Sequence, residues 1–266
     1  MARVRSRDGT TIVYERTGSG PVVVLVGGGL DDGTENGPLA QELAGDFTAV
    51  NYARRGRAGS GDVRPYALER EIEDLAALID EVGGPAHLFG ASSGGALALE
   101  AAAAGLPIGR LAVFEVPYAI GDTAVQAWQD YVRQLRAVLA DGRRGEAVKL
   151  FMRLAGVSEE DIAGAESSPM WSPLLELAHT LAYDAACLGD GPPPAARLAT
   201  ITQPTLAATG SGVDPHMAGL RSDFFGQAAD AIAACVARAE RRVVDVREHT
   251  VNAKALAPVL TDFFRS

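Results

Sequence analysis

The stretch Gly90-Ala91-Ser92-Ser93-Gly94-Gly95 constrains what this chain can fold into more than any other feature. It lies between an apolar run, residues 86–89, and an Ala- and Leu-rich run, residues 96–104, which together predict a strand, a sharp turn and a helix. The glycines flank a residue in a strained backbone conformation, because side chains at their positions would collide with the neighbouring strand and helix. We therefore expect Ser92 to present an exposed hydroxyl at the tip of the turn. The amide of Ser93 and the start of the helix would face that hydroxyl, which is a geometry suited to acyl transfer.

Strand and helix patterns alternate on both sides of this turn, and the alternation predicts an α/β fold with a mostly parallel, doubly wound sheet. A hairpin is expected near the N-terminus, and the β-branched run at residues 22–26 is typical of a strand buried on both faces. Further strands are predicted at residues 47–52, 86–89, 111–114, 205–209 and 243–246, and helices at residues 39–43, 68–82, 217–239 and 255–264.

The alternation stops between residues 118 and 202, where helical patterns rich in large side chains follow one another. The run Gly189 to Pro194 contains residues that cannot continue a helix and ends this region. We expect two units: a core made of residues 1–117 and 203–266, and a helical insertion made of residues 118–202.

Composition bounds the class of protein. The 266 residues are 47% hydrophobic and 22% charged, so the chain can bury one substantial core. The net charge of −10 disfavours nucleic acid and anionic membranes as partners, which leaves a small molecule as the expected partner of a monomer or homodimer. Cys187 and Cys235 lie in apolar helical segments and are expected to be buried free thiols. No signal sequence or membrane span is recognisable, so we expect a soluble, cytoplasmic protein.

The motifs and their order resemble the α/β-hydrolase superfamily along nearly the whole chain, and within it small bacterial hydrolases with a helical cap. The resemblance rests on four segments: the turn Gly27-Gly28-Gly29, the loop from Tyr52 to Gly61, the serine turn, and Glu248-His249-Thr250-Val251 before the last helix. It implies an α/β-hydrolase fold in which residues 118–202 form a cap, or lid.

The resemblance also implies catalytic roles. Ser92 would be the nucleophile and His249 its base, because a serine hydroxyl attacks only after a positioned base has taken its proton. The oxyanion hole would combine the amides of Ser93, Gly28 and Gly29. No metal ligand set and no cofactor motif competes with this interpretation: the glycine turn lacks the G-x-G-x-x-G spacing and no P-loop is present.

Two carboxylates could be the acid that orients His249, and the sequence favours one of them. Superfamily members commonly carry an aspartate after the strand predicted at residues 205–209, and Asp214 is the nearest carboxylate there. However, Asp214-Pro215 also has the pattern of a helix N-cap followed by proline. We therefore expect Glu115 to be the acid and keep Asp214 as the alternative, because an acid after the strand at residues 111–114 occurs in some members and an unpaired carboxylate there would be costly. A site without an acid is the third possibility.

The remaining candidates concern the substrate. Trp128, Tyr131, Trp171 and Tyr183 of the insertion could line a pocket, and His179 could touch the substrate. Arg54 and Arg55 are expected to order neighbouring loops rather than to bind a substrate carboxylate.

The sequence therefore predicts a metal-free serine hydrolase that cleaves a small apolar ester, thioester or lactone through an acyl-enzyme on Ser92. The alternatives are a carbon–carbon bond hydrolase, a cofactor-free perhydrolase or a natural-product cyclase on the same fold, or a ligand-binding module with a degenerate site.

Overall fold

The computed structural model describes residues 1–266 and contains one eight-stranded sheet. The strand order is β1-β2-β4-β3-β5-β6-β7-β8; β1 and β2 run antiparallel to their neighbours, and all other adjacent pairs are parallel. The predicted mostly parallel, doubly wound sheet is thus confirmed. The strands are β1 Ala2–Arg5, β2 Thr11–Gly18, β3 Val22–Val26, β4 Thr48–Tyr52, β5 Ala86–Ala91, β6 Ile108–Phe114, β7 Thr205–Gly210 and β8 Ala239–Val244.

Helices cover both faces of the sheet, as βαβ connections require. Helices α1 and α11 pack together on one face, where Leu39 and Leu43 meet Leu256 and Leu260 in one apolar cluster. The other face carries α2, α3 and α10 in a larger cluster that continues into the insertion. The helices are α1 Gly37–Leu43, α2 Leu68–Glu81, α3 Ser93–Ala103, α4 Asp122–Ala140, α5 Arg144–Leu154, α6 Glu159–Glu166, α7 Trp171–Leu177, α8 Leu181–Leu188, α9 Ala195–Leu198, α10 Phe224–Cys235 and α11 Ala253–Arg265, with short 3-10 turns at Ala178–Thr180 and Pro215–Met217.

The parallel central strands end at one edge of the sheet. Val26 at the end of β3 pairs with Gly90 of β5, and Ala91 at the end of β5 pairs with Phe114 of β6. Phe114 pairs in turn with Ala208 of β7. The residues that follow these strands are therefore neighbours in space although they are far apart in sequence, which is where sites form in open α/β sheets.

Only helices occur between β6 and β7. Helices α4 to α9 occupy this interval, and α8 packs on α3 of the sheet layer. The position agrees with the region in which the sequence loses its strand alternation. Treating residues 118–202 as a unit separate from the core remains a prediction.

Two predicted elements near the C-terminus are wrong in extent. The helix expected at residues 217–239 is a 3-10 turn at Pro215–Met217 followed by α10, which ends at Cys235. The strand expected at residues 243–246 is β8, Ala239–Val244. This edge strand carries Glu240, Arg241 and Arg242, so its polar residues hide it from a search for apolar runs.

Two further observations concern the chain as a whole. No helix combines the length and the apolar character that crossing a lipid bilayer would require.

Both cysteines are free thiols: Cys187 is buried as expected, whereas Cys235 is only half-buried.

The loop after β4 is fastened to α2 by a buried ion pair. The Arg55 guanidinium donates to both carboxylate oxygens of Asp74, over 2.8 and 2.7 Å, and neither side chain is more than 1% exposed. We expect Asp74→Asn to lower the free energy of unfolding by about 3 kcal/mol, because it leaves part of a buried positive charge without its partner. Asp80→Asn on the exposed face of α2 is the control, and denaturant unfolding is the measurement. Equal stability of the two variants would contradict this prediction.

Candidate active site

Ser92 lies on the tight turn between β5 and α3, with φ 53° and ψ −129°. A Cβ atom at Gly90 would lie 2.5 Å from the carbonyl oxygen of Gly94, and one at Gly94 would lie 2.5 Å from the carbonyl oxygen of Gly27. Only glycine fits at these two positions, so strand and helix approach closely and Ser92 absorbs the strain. The Ser92 hydroxyl does not cap α3, which leaves it free for chemistry.

The glycine turn after β3 lies directly against this serine. A Cβ atom at Gly28 would lie 3.1 Å from the Ser92 Cβ and 3.7 Å from its Oγ. The amides of Gly28 and Gly29 donate no hydrogen bond to a protein atom. Ser93 is the first residue of α3, so its amide has no carbonyl one turn earlier to bind. The glycine turn thus lies against Ser92 and carries amides without a protein acceptor, and the oxyanion-hole role of Gly28, Gly29 and Ser93 remains a prediction.

The imidazole of His249 contacts the carboxylate of Glu115. His249 Nδ1 and Glu115 Oε2 are 2.7 Å apart, and Glu115 Oε1 accepts a hydrogen bond of 2.9 Å from the Gly210 amide at the end of β7. Glu115 follows β6 directly, has φ 48° and is 5% exposed. The Phe225 ring stacks on the imidazole at 4.7 Å. The ring is thus held by a carboxylate at its edge and by an aromatic side chain on its face, which leaves Nε2 as the nitrogen for a second partner.

Asp214 also lies beside His249, but it contacts the backbone and not the ring. Its Oδ2 accepts from the His249 amide over 2.9 Å, and its Oδ1 accepts from the His216 amide over 2.8 Å at the start of the 3-10 turn. The N-cap arrangement expected from Asp214-Pro215 is therefore present, and it places both carboxylate oxygens on amides.

The side chains predicted to line a pocket lie in several places. Trp128 and Tyr131 are buried in the larger apolar cluster, and the Trp128 indole donates to the Gly189 carbonyl. Trp171 is half-buried against that cluster. The Tyr183 hydroxyl donates to Asp62, and His179 Nε2 lies 3.8 Å from the same carboxylate. None of these contacts reaches Ser92, and a substrate role for the five side chains remains a prediction.

Two insertion residues next to the glycine turn were not singled out from the sequence. A Cβ atom at Gly29 would lie 3.3 Å from the Phe151 ring of α5 and 3.6 Å from Asp184 Oδ2 of α8. Asp184 could have been found from the sequence, because it is the only charged residue of α8, which is otherwise apolar. Its carboxylate takes part in the buried ion network described next.

Two arginines of the loop after β4 connect that helix to the turn. Arg54 donates to both oxygens of Glu71 and to the Gly27 carbonyl, and Arg57 donates to the Gly28 carbonyl. Both also donate to Asp184 Oδ1 over 2.7 Å. Arg54 therefore orders neighbouring loops, as expected from the sequence, and Arg57, which was not singled out there, does the same.

Two carboxyl groups near the site have pKa values shifted in opposite directions. Burial alone would raise the pKa of Asp184, but the charges of Arg57 and Arg54 and its hydrogen bonds lower it overall. Burial and the nearby Asp31 carboxylate raise the pKa of Glu35, which accepts a hydrogen bond from the Val251 amide. Asp184 is consequently ionised at neutral pH, which keeps it a partner for both arginines.

Two open depressions on the surface lie away from Ser92. One, of about 530 Å³, lies between residues 153–161 and 215–219. The other, of about 780 Å³, lies between the end of α1 and α11. Neither is lined by Ser92, Glu115 or His249, so neither is a continuation of the candidate site. No group of three or more His, Cys, Asp or Glu side chains is arranged to hold a metal ion.

Several known proteins are similar to this chain in sequence or in fold. An alpha/beta hydrolase from Sphaerobacter thermophilus DSM 20745 is 47% identical, with a TM-score of 0.87 over 99% of this chain and 100% of that one. The enol-lactonase from Burkholderia xenovorans LB400 shares the fold at 21% identity, with a TM-score of 0.71 over all of both chains. The uncharacterized hydrolase YraK from Bacillus subtilis (strain 168) is 35% identical over 96 residues, and the match spans only 35% of each chain.

The sequence model of the alpha/beta hydrolase family matches residues 22–254, which include the glycine turn, the serine turn, Glu115 and His249. The chain belongs to the alpha/beta hydrolase family.

Proposed function

We propose that this chain is a serine hydrolase that cleaves a small apolar ester, thioester or lactone through an acyl-enzyme on Ser92. The observation that carries the proposal is the 2.7 Å contact between His249 Nδ1 and Glu115 Oε2, at the same sheet edge as a serine in a strained turn. A histidine oriented by a buried carboxylate is the arrangement that activates a serine hydroxyl.

The first half of the reaction forms the acyl-enzyme. His249 Nε2 takes the proton from Ser92 Oγ as the oxygen attacks the substrate carbonyl carbon. The amides of Ser93, Gly28 and Gly29 bind the negative oxygen of the tetrahedral intermediate. Collapse of the intermediate breaks the bond to the leaving alcohol or thiol, which receives the proton from His249.

The second half releases the acyl group. His249 takes a proton from a water molecule, whose oxygen attacks the acyl carbon. The second tetrahedral intermediate then collapses, Ser92 Oγ regains the proton, and a carboxylic acid leaves. Glu115 keeps the proton of the neutral imidazole on Nδ1 and stabilises the positive ring that forms in each half, since its Oε2 lies 2.7 Å from Nδ1.

Two aromatic rings near these atoms support an apolar substrate. Phe151 lies next to Gly29, where the Asp184 carboxylate also approaches, and Phe225 stacks on His249. We propose that residues 118–202 act as a cap, since α5 and α8 of this segment lie next to the glycine turn. Apolar contact with the cap would then select the acyl or alcohol part of the substrate.

The first prediction concerns the pair that activates the nucleophile. Ser92→Ala and His249→Ala should each lower the turnover of p-nitrophenyl butyrate by at least about a thousandfold, and the double variant should be little worse, because the two groups act as a unit. A fluorophosphonate probe should label the wild type and not Ser92→Ala. If the double variant lost turnover by the product of the two single losses, Ser92 and His249 would not act together in one step.

The second prediction separates the two carboxylates beside His249. Glu115→Gln should lower kcat by about a thousandfold or more, because a neutral amide no longer stabilises the positive imidazole. Asp214→Asn is the matched control, since its carboxylate contacts amides and not the ring; we expect a change of less than about tenfold. A larger loss in Asp214→Asn than in Glu115→Gln would assign the acid to Asp214 instead.

A further inference from the structure

The Gly28 and Gly29 amides, which would form part of the oxyanion hole, belong to peptide units whose carbonyl oxygens accept hydrogen bonds from arginine side chains. Arg54 Nη1 donates to the Gly27 carbonyl over 3.2 Å, and Arg57 Nη1 donates to the Gly28 carbonyl. A trans peptide unit is planar, and its carbonyl and amide point in opposite directions. The hydrogen bond to the Gly27 oxygen therefore orients the amide of Gly28, and the one to the Gly28 oxygen orients the amide of Gly29.

One carboxylate oxygen from the insertion connects both arginines to the serine turn. Asp184 Oδ1 accepts from Arg54 and Arg57, each over 2.7 Å, and from the Ser93 hydroxyl over 2.8 Å. Ser93 supplies the remaining amide of the predicted hole. The peptide units that carry the Gly28 and Gly29 amides are thus linked to this atom through the arginines, and Ser93 is linked to it by its side chain.

The network is too buried to be a surface ion pair. Arg54, Arg57 and Asp184 are 2%, 1% and 5% exposed, and Glu71 balances the second positive charge from α2 at 1% exposure. In such surroundings hydrogen bonds to charged groups are strong and hold their partners in one geometry. Positions fixed before the reaction are what oxyanion stabilisation requires.

We propose that Asp184 is a positioning residue: through Arg54, Arg57 and Ser93 it holds the oxyanion-hole amides in place, so that the catalytic centre is complete only when α8 of the insertion is docked on the turn. This inference rests on the proposed serine-hydrolase function. It assigns to the insertion a part in transition-state binding in addition to covering the site.

The test compares two buried aspartates that each bind arginine. Asp184→Asn removes the charge from the network that holds the glycine turn. Asp74→Asn removes a charge from the Arg55 pair, which is equally buried but contacts neither the glycine turn nor the insertion. We expect Asp184→Asn to lower kcat for p-nitrophenyl butyrate by about 10- to 100-fold with KM nearly unchanged, because only transition-state binding is lost. Asp74→Asn should keep kcat within about threefold of the wild type.

A second readout addresses the oxyanion itself. A short alkyl trifluoromethyl ketone adds reversibly to an active-site serine, the serine proton passing to histidine, and leaves a negative oxygen in the oxyanion hole. Its inhibition constant should rise for Asp184→Asn by the same factor as kcat falls, and should not change for Asp74→Asn.

A third variant keeps the test informative if Asp184→Asn does not fold. Arg57→Lys keeps the positive charge but cannot reach the Gly28 carbonyl and Asp184 together in the same way, so it should show the same parallel change in kcat and inhibition constant. If folded Asp184→Asn or Arg57→Lys keeps wild-type kcat and inhibition, or loses activity only through KM, the positioning role is wrong. If Ser92→Ala keeps the wild-type activity, the proposed function itself fails, which is a separate outcome.

Discussion

The close contact between β5 and α3 is the constraint on which the site depends. Gly90 and Gly94 leave so little space between strand, helix and the glycine turn that any side chain there would overlap backbone atoms. The chain can make this turn only with a positive φ at Ser92. The same contact brings Gly28 against the serine, since a Cβ atom at Gly28 would lie 3.1 Å from the Ser92 Cβ. The strained backbone of Ser92 thus sets its hydroxyl next to the glycine turn, and the packing of β5 and α3 on the sheet stabilises that strain.

The parallel register then decides which carboxylate reaches His249. Glu115 leaves β6 beside the end of β7, where the Gly210 amide binds one carboxylate oxygen and turns the other toward the imidazole. Asp214 arrives from a later point in the loop, and amides occupy both of its oxygens. Both acids lie within one hydrogen bond of the same residue, yet only Glu115 contacts the group that can carry a proton.

Buried ion pairs connect the insertion to the core, because Arg54 and Arg57 of the loop after β4 bind Asp184 of α8. An arginine removed from water costs several kcal/mol unless carboxylates and carbonyls surround it. Here Glu71 and Asp184 neutralise Arg54 and Arg57, and the carbonyls of the glycine turn accept one hydrogen bond from each arginine. Such a network specifies one arrangement of α2, α8 and the glycine turn, because every alternative would leave a buried charge without a partner. The buried ion pairs that join the insertion to the core therefore also contact the glycine turn beside Ser92.

The sequence by itself determined the sheet, the serine turn, the position of His249 and the helical region between β6 and β7, because these depend on local signals: apolar runs, glycine spacing and period. It misplaced the bounds of β8, whose charged residues pair with α10 and α11 rather than following an apolar pattern. It favoured Glu115 over Asp214 but kept both, and it did not reveal that Asp184 meets two arginines from a loop 127 to 130 positions away. Those contacts depend on the register of neighbouring strands and on how α8 docks, and no local pattern encodes the distance between residues that only tertiary packing brings together.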